Sequence, residues 1–296
     1  MVGVSCVGRV DSFGEGTVSL KKGQLVFFDT TVRARDDPLA IILQGLFAQK
    51  ENGGQKLQEY YRNGSWAEKI LVPVENVHPI PEELLEQYGA AKLTEMNTAV
   101  VPYGGLLAGE LEPGEKVMIQ PATGHFGAAG VVVAIAMGAT VYAVGRNSST
   151  LNSLVERLGK RVVPVVVKGT EDDISVYQNL QVDMILNIYP RGAPAEAITW
   201  GFEALKPMGT LVLMGGTHDN LTLKYDEVMH KNITIKGVQM YPQSAVGKMI
   251  RLVQGGVLDL NVFEQKTFKL DQILDAVEYA ASKENRGWLY STVLEI

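Results

Sequence analysis

The residues with the clearest capacity for chemistry lie between positions 117 and 147, VMIQPATGHFGAAGVVVAIAMGATVYAVGRN. Ala122, Gly124 and Gly127 carry the spacing of a dinucleotide fingerprint, with Ala in place of the first glycine. Small residues are needed there for physical reasons. The chain must turn tightly, its backbone must approach a pyrophosphate, and the following helix must pack close to the strand. Thr123, His125 and Phe126 fill the other positions of the turn and complete the expected phosphate cradle. A helix that starts here offers unpaired N–H groups and a partial positive charge to phosphates. Glycine-rich turns also occur for purely structural reasons. This one sits between an apolar strand and an apolar helix, the context a nucleotide site requires.

The end of the next strand bears on which nucleotide fits. NAD sites place an Asp or Glu on the ribose 2′-hydroxyl roughly 20 residues past the glycines. Here the strand ends Gly145-Arg146-Asn147, and no acid follows before Glu156. An acid would repel a 2′-phosphate, whereas Arg146 would pair with it, with Asn147 and Ser148 adding neutral hydrogen bonds. The expected cofactor is therefore NADP(H); the alternative is that Arg146 is a solvated turn residue. Later strand ends supply Asn187, Met214, Gly215 and Gly216. The glycine pair would admit the nicotinamide ribose, or simply make a tight turn. Tyr103 and Tyr241 are the candidate catalytic hydroxyls, able to donate to a substrate carbonyl or a developing oxyanion. A tyrosine placed as Tyr103 is more often a packed aromatic with one satisfied hydroxyl. The four histidines, His78, His125, His218 and His230, are far apart, and Cys6 is the single cysteine, so no zinc ligand set is expected.

The elements that position these residues follow from apolar periodicity. Strands are expected at 117–120, 140–144, 162–167, 182–188, 210–214 and 233–236, and helices at 128–137, 149–158, 171–180, 194–205 and 226–230. Strands this apolar are buried on both faces, the mark of a parallel sheet covered by helices. Residues 1–75 read as β-rich, with strands at 5–10, 24–28 and 67–72 and a surface loop at 49–58. Helices are expected at 81–88, 94–107, 244–254 and 270–282, and a last strand at 288–294. The fold class is α/β: a doubly wound parallel sheet plus a smaller β domain. The expected division is 1–105, 106–242 and a C-terminal return over 243–296.

Composition removes several function classes. Net charge is −6 and no basic cluster occurs, so no nucleic-acid partner is expected. No run reaches the ~18 apolar residues of a membrane span. The first residues lack the basic-then-apolar order of a signal peptide. The single cysteine excludes an internal disulfide framework and fits a reducing compartment, so a cytoplasmic protein is expected; the nucleotide turn points to a small-molecule partner.

Four segments together resemble a known family: residues 7–27 (VGRVDSFGEGTVSLKKGQLVF), 64–73 (GSWAEKILVP), 111–127 (LEPGEKVMIQPATGHFG) and 213–216 (LMGG). The chain resembles the medium-chain dehydrogenase/reductase superfamily over nearly its whole length, and within it the zinc-independent, NADPH-using members. The resemblance implies a GroES-like β domain, here expected to be shortened, joined to a Rossmann domain. The family's Gly-His-Glu stretch falls on Gly3-Val4-Ser5, so Val stands where zinc enzymes place a ligand His, and one cysteine cannot form a four-Cys lobe. The implied reaction is hydride transfer from NADPH to an activated double bond, quinone or carbonyl of a small organic substrate, including secondary metabolites. The alternative is a non-redox isomerase or cyclase, or a pseudoenzyme, on the same scaffold. Family members often pair through a sheet edge, so a homodimer through 233–236 is also expected.

Overall fold

A computed structural model of the chain describes residues 2–37, 39–48, 53–282 and 288–296. Two compact units share the chain: Met1–Asn97 with Val246–Arg286 and Tyr290–Ile296, and Thr98–Ala245 with Gly287–Leu289.

The first unit begins with short strands. They are β1 (Cys6–Arg9), β2 (Leu25–Phe28), β3 (Thr31–Arg33), β4 (Ile41–Leu43) and β5 (Phe47–Ala48). Helix α1 (Gly54–Tyr60), strand β6 (Val77–Pro79) and helix α2 (Glu82–Leu93) follow. Strands β1-β2-β6 and β3-β4-β5 form two antiparallel sheets. The centre of the first is β2, LVFF, buried at all four residues. Helix α1 occupies part of the expected loop, whose residues 49–52 lie outside the described residues. The strand expected at 67–72 does not form. The amide of Gln44, 1% exposed, donates 2.8 Å bonds to the carbonyls of Asn63 and Leu71. A side chain thus satisfies backbone that a ladder would otherwise pair.

The second unit holds the sheet that matters for function. Helix α3 (Met96–Ala108) leads to β7 (Lys116–Gln120), α4 (His125–Ala136), β8 (Thr140–Gly145), α5 (Ser148–Leu158) and β9 (Val162–Val166). Then come α6 (Ile174–Tyr177), β10 (Val182–Asn187), α7 (Glu196–Phe202), β11 (Leu205–Leu213), α8 (Tyr225–His230) and β12 (Thr234–Gly237). The six strands are all parallel, in the order β12-β11-β10-β7-β8-β9. The chain starts in the middle, winds outward to β9, and returns to wind outward the other way from β10. That reversal makes a topological switch point between β7 and β10, where ligands of doubly wound sheets bind beyond the carboxyl ends. Val117, Met118 and Ile119 of β7 are fully buried, as strands covered on both faces must be. One face packs Met118, Val144, Ile185 and Leu211 against Tyr177, Ile198 and Phe202.

Several element bounds differ from the sequence expectation. Helix α4 starts at His125, three residues before 128, because Gly124 is extended and serves as its N-cap. Strand β11 starts at Leu205 rather than 210. Val182 pairs with Leu205 but Met184 with Thr210, so residues 206–209 bulge, with Met208 at φ 69°. The helix expected at 171–180 is a 3-10 turn, Glu171–Asp173, followed by the one-turn α6.

Helix α9 (Ser244–Gln254) precedes the strand β13 (Glu264–Lys269), and α10 (Ile273–Ala281) connects it to its parallel partner β14 (Tyr290–Glu295). In the first unit Glu95, 1% exposed, accepts from Gln265 Nε2 at 2.9 Å and Ser291 Oγ at 3.0 Å, which ties this pair to the end of α2. No described helix is long and apolar enough to cross a membrane.

Candidate dinucleotide site

The turn after β7 is fastened to its neighbour strand: the Ala122 amide donates to the Val144 carbonyl at 2.7 Å, and Ala122 is fully buried. The two glycines that follow differ in what surrounds them. A Cβ on Gly127 would lie 1.8 Å from the Pro121 carbonyl oxygen, so only glycine lets α4 seat against the turn. A Cβ on Gly124 would meet nothing within 4 Å. Packing therefore demands Gly127, whereas Gly124 borders open space where a ligand backbone can approach. No side chain caps α4. Its first in-helix bond runs from the Ala128 amide to the Gly124 carbonyl at 2.8 Å, which leaves the amides of His125, Phe126 and Gly127 ahead of it. Those donors and the helix dipole suit a pyrophosphate. Gly145, at the end of β8, is held to glycine by Thr123, whose Cγ2 would be 2.4 Å from an added Cβ.

His125 is engaged inside the protein. Its Nε2 lies 3.1 Å from Thr98 Oγ1 on α3. Burial pulls its pKa below the ordinary histidine value, against a smaller upward pull from the Trp288 backbone, so the ring is neutral near pH 7. Phe126 packs edge-on against it at 5.6 Å and is 43% exposed.

Arg146 is exposed at the carboxyl end of β8 and makes no ion pair among the described residues. Its Cδ would lie 3.6 Å from a Cβ on Gly169, so its stem runs along the turn after β9. Burial pushes the Tyr189 phenol up to about 12 against the pull of the nearby Arg146 charge. Asn147 also has a structural task. Its side-chain oxygen accepts from the Thr150 amide at 3.1 Å and caps α5, so its NH2 group is what remains for a ligand. Ser148 is exposed at the first position of α5.

Asn187 ends β10 and lies in register with Gln120, the last residue of β7. Both are buried, at 1% and 0% exposure. The Asn187 Nδ2 and both polar side-chain atoms of Gln120 have no hydrogen-bond partner among the described residues. Next to them the Met214 amide donates to the Asn187 carbonyl at 3.1 Å, and the Gly216 amide to the Tyr189 carbonyl at 2.8 Å. An added Cβ on Gly215 would lie 2.5 Å from the Tyr189 oxygen, so close packing of two loops accounts for that glycine.

Tyr103 on α3 and Tyr241 after β12 are buried, 5% and 2% exposed. The helix presses on the β12 end: a Cβ on Gly104 would lie 2.5 Å from both the Met240 oxygen and Tyr241 Cβ. One on Gly105 would lie 2.5 Å from Met214 Sδ. Met240 holds a left-handed backbone at φ 59°, uncommon for a residue with a long side chain.

Asp173, which the sequence expectation did not single out, stabilises the turn after β9. It is 3% exposed and accepts from the amides of Lys168 at 2.9 Å, Gly169 at 2.7 Å and Thr170 at 3.1 Å. Burial raises its pKa, but the three donors and the Lys168 charge outweigh that, and the net direction is down. A signal existed: Thr170-x-x-Asp173 is a capping box.

Among the described residues no three His, Cys, Asp or Glu side chains converge to hold a metal. Burial raises the Cys6 thiol to about 11 and lowers His78 to about 4, so the thiol is protonated and the imidazole uncharged at neutral pH. The donor set does not fit a zinc centre.

Comparison with known proteins supports these observations. Residues 126–255 match the model of the zinc-binding dehydrogenase family. L-threonine 3-dehydrogenase of Pyrococcus furiosus is 23% identical over 94% of this chain and 78% of its own length. A phenolphthiocerol/phthiocerol polyketide synthase of Mycobacterium tuberculosis is 30% identical over 47% of the chain, a match that spans only 6% of that protein. Coverage is also partial, at 60%, for the L-threonine 3-dehydrogenase of Chromobacterium violaceum. Among solved structures, an alcohol dehydrogenase of a Thermus species superposes with a TM-score of 0.78 at 19% identity, over 99% of this chain and 84% of its own. A zinc-binding dehydrogenase of Sinorhizobium meliloti bound to NADP gives 0.72 at 16% identity, over 93% and 79%. By its strand order and these matches, the chain shares the fold of solved alcohol dehydrogenases and is similar to the medium-chain dehydrogenase/reductase superfamily.

Proposed function

We propose that the protein is an NADPH-dependent oxidoreductase that works without zinc and reduces an activated double bond, quinone or carbonyl of a small organic substrate. The observation that carries the proposal is Arg146, a cation with no ion pair among the described residues, at the β8 end beside the open Gly124 turn. The cofactor, when bound, supplies the hydride. The amides of His125, Phe126 and Gly127 bind the pyrophosphate, and Arg146 and the Asn147 NH2 group bind the 2′-phosphate. Asn187, whose Nδ2 has no hydrogen-bond partner among the described residues, and the strand-end residues Met214, Gly215 and Gly216 would hold the nicotinamide half. Orientation then supplies most of the rate, and a hydroxyl or water supplies the proton.

Tyr103 and Tyr241 are the two protein hydroxyls proposed for that proton. The Phe variant of either that lowers kcat with unchanged NADPH affinity supports a chemical role; unchanged kcat assigns that residue to packing. The proposal includes a cytoplasmic setting. It also includes a homodimer through the exposed edge strand β12, which sedimentation would report as twice the chain mass.

The direct test follows NADPH consumption with a panel of an enone, a quinone and an aldehyde. Substrate-dependent oxidation of NADPH supports the reading. Conversion of a substrate with no NADPH consumed would replace it with non-redox chemistry on the same scaffold.

A further inference from the structure

Helix α3 runs past both ends of the dinucleotide site. Near its start Thr98, 6% exposed, lies with its Oγ1 3.1 Å from Nε2 of His125, the first residue of α4. One turn further the two helices touch again: a Cβ on Gly130 of α4 would lie 3.2 Å from Pro102 Cβ. Beyond Pro102 the same helix reaches the far strand ends. A Cβ on Gly104 would lie 2.5 Å from Tyr241 Cβ, and one on Gly105 2.5 Å from Met214 Sδ. The hydrogen-bond ladder of α3 is interrupted at the His125 contact, because Pro102 has no N–H to give the Thr98 carbonyl. No side chain caps α4 on the other side of that contact. A backbone hydrogen bond with Trp288 also engages the His125 ring. The Trp288 indole in turn lies under Arg157 of α5, whose Cζ is 5.0 Å from the ring centroid. All of these residues belong to the second unit.

We infer that the His125 side chain is a positioning group: it fastens the turn after β7 to α3 at Thr98, and α3 sets the spacing between that turn and the strand ends of β11 and β12. The inference rests on the dinucleotide reading above and adds a residue whose ring acts without touching the ligand. The His125 amide remains free to face the pyrophosphate, while the ring is turned inward and held. Spacing matters because a shift of about 1 Å at a reacting centre costs on the order of 100-fold in rate. A helix is the element that transmits such a spacing, since its rise is fixed at about 1.5 Å per residue. Only a ligand that reaches both ends of the site feels it.

The test titrates two ligands by calorimetry into the full chain: NADPH, which spans both ends, and 2′,5′-ADP, which carries the adenosine phosphates alone. Thr98→Val keeps the shape of the side chain and removes the hydroxyl. It should weaken NADPH roughly fivefold, the size of one hydrogen bond, and leave 2′,5′-ADP nearly unchanged. His125→Ala should weaken NADPH at least as much, and His125→Gln, whose amide still reaches toward Thr98, should recover most of the loss. Adding Thr98→Val to His125→Ala should cost nothing further, because the two residues act through one contact. Losses that add in the double variant, or NADPH binding untouched in both single variants, overturn the inference and leave the NADP(H) reading standing. Equal losses for the two ligands assign His125 to the stability of the turn and overturn the spacing role. A wild type that binds neither ligand overturns the reading and the inference together.

Discussion

The two halves of the six-stranded sheet end in different ways. Beyond β8 and β9 the chain ends in exposed charge: Arg146, Lys168 and the clamped turn at Gly169. Beyond β11 and β12 the first residues are uncharged, with half-buried Met214 and Met240 and buried Tyr241 pressed by Gly104 and Gly105 of α3. The first half can sort ligands by charge, because solvent-exposed cations distinguish a phosphate from a hydroxyl. The second can sort them by shape, because close packing leaves no slack. A dinucleotide has that polarity, a charged adenosine phosphate at one end and a flat nicotinamide at the other. Cofactor choice and reactivity are therefore expected to be controlled by separable sets of residues on one sheet.

The largest expected effect comes from the turn that both halves share. Gly127→Ala puts a Cβ 1.8 Å from the Pro121 oxygen. Thermal unfolding should report a loss of about 1–3 kcal/mol from overpacking, and nucleotide binding should disappear. A variant with wild-type stability and affinity would remove the packing account of that glycine. Next in size, Arg146→Ala should weaken NADPH roughly 10–100-fold while NADH changes little, since charge-assisted bonds to the 2′-phosphate are worth about 1.5–3 kcal/mol. Equal losses for both cofactors would break the division of labour.

Gly104→Ala probes the other half. The added methyl meets the Met240 oxygen and Tyr241 Cβ, each at 2.5 Å, so the β12 end must shift. We expect a lower kcat with the NADPH-to-NADH preference unchanged, read from steady-state kinetics with both cofactors. A changed preference would show that the halves are coupled.

The smallest effect concerns pH. Burial lowers the His125 pKa in the folded chain, so the folded state favours the neutral ring. The stability tied to that ring is whole above the unfolded pKa of about 6.5 and is lost as pH falls through the lower folded value. Urea unfolding of wild type should therefore weaken below pH ~6.5, and His125→Gln should flatten that slope. An unchanged slope would place the pH dependence elsewhere, with buried His78 the first group to examine.

Much of the sheet was legible in the sequence, because strands covered on both faces must be continuously apolar, and the runs at 117–120, 140–144 and 182–188 are. Long-range pairing was less legible. The bulge that starts β11 at Leu205 depends on a partner strand, and the Leu71 carbonyl is paired by Gln44, which lies far from it in sequence. At the site, the fingerprint and Arg146 were visible as residue types at fixed spacing. The difference between Gly124 and Gly127 was not, because it depends on what surrounds each Cβ. Asn147 and Asp173 belong to local motifs and were readable in principle as an N-cap and a capping box. What Gly104 and Gly105 pack against was not legible either, because it depends on the neighbouring strand ends.

Selection of NADP(H) by the β8 end is tested most directly by a fluorescence titration of the purified protein with NADPH and with NADH, repeated on Arg146→Ala. Tight NADPH binding that the variant weakens, with NADH little affected, is the predicted result. Equal affinity for the two cofactors in the wild type, or binding of neither, would contradict it.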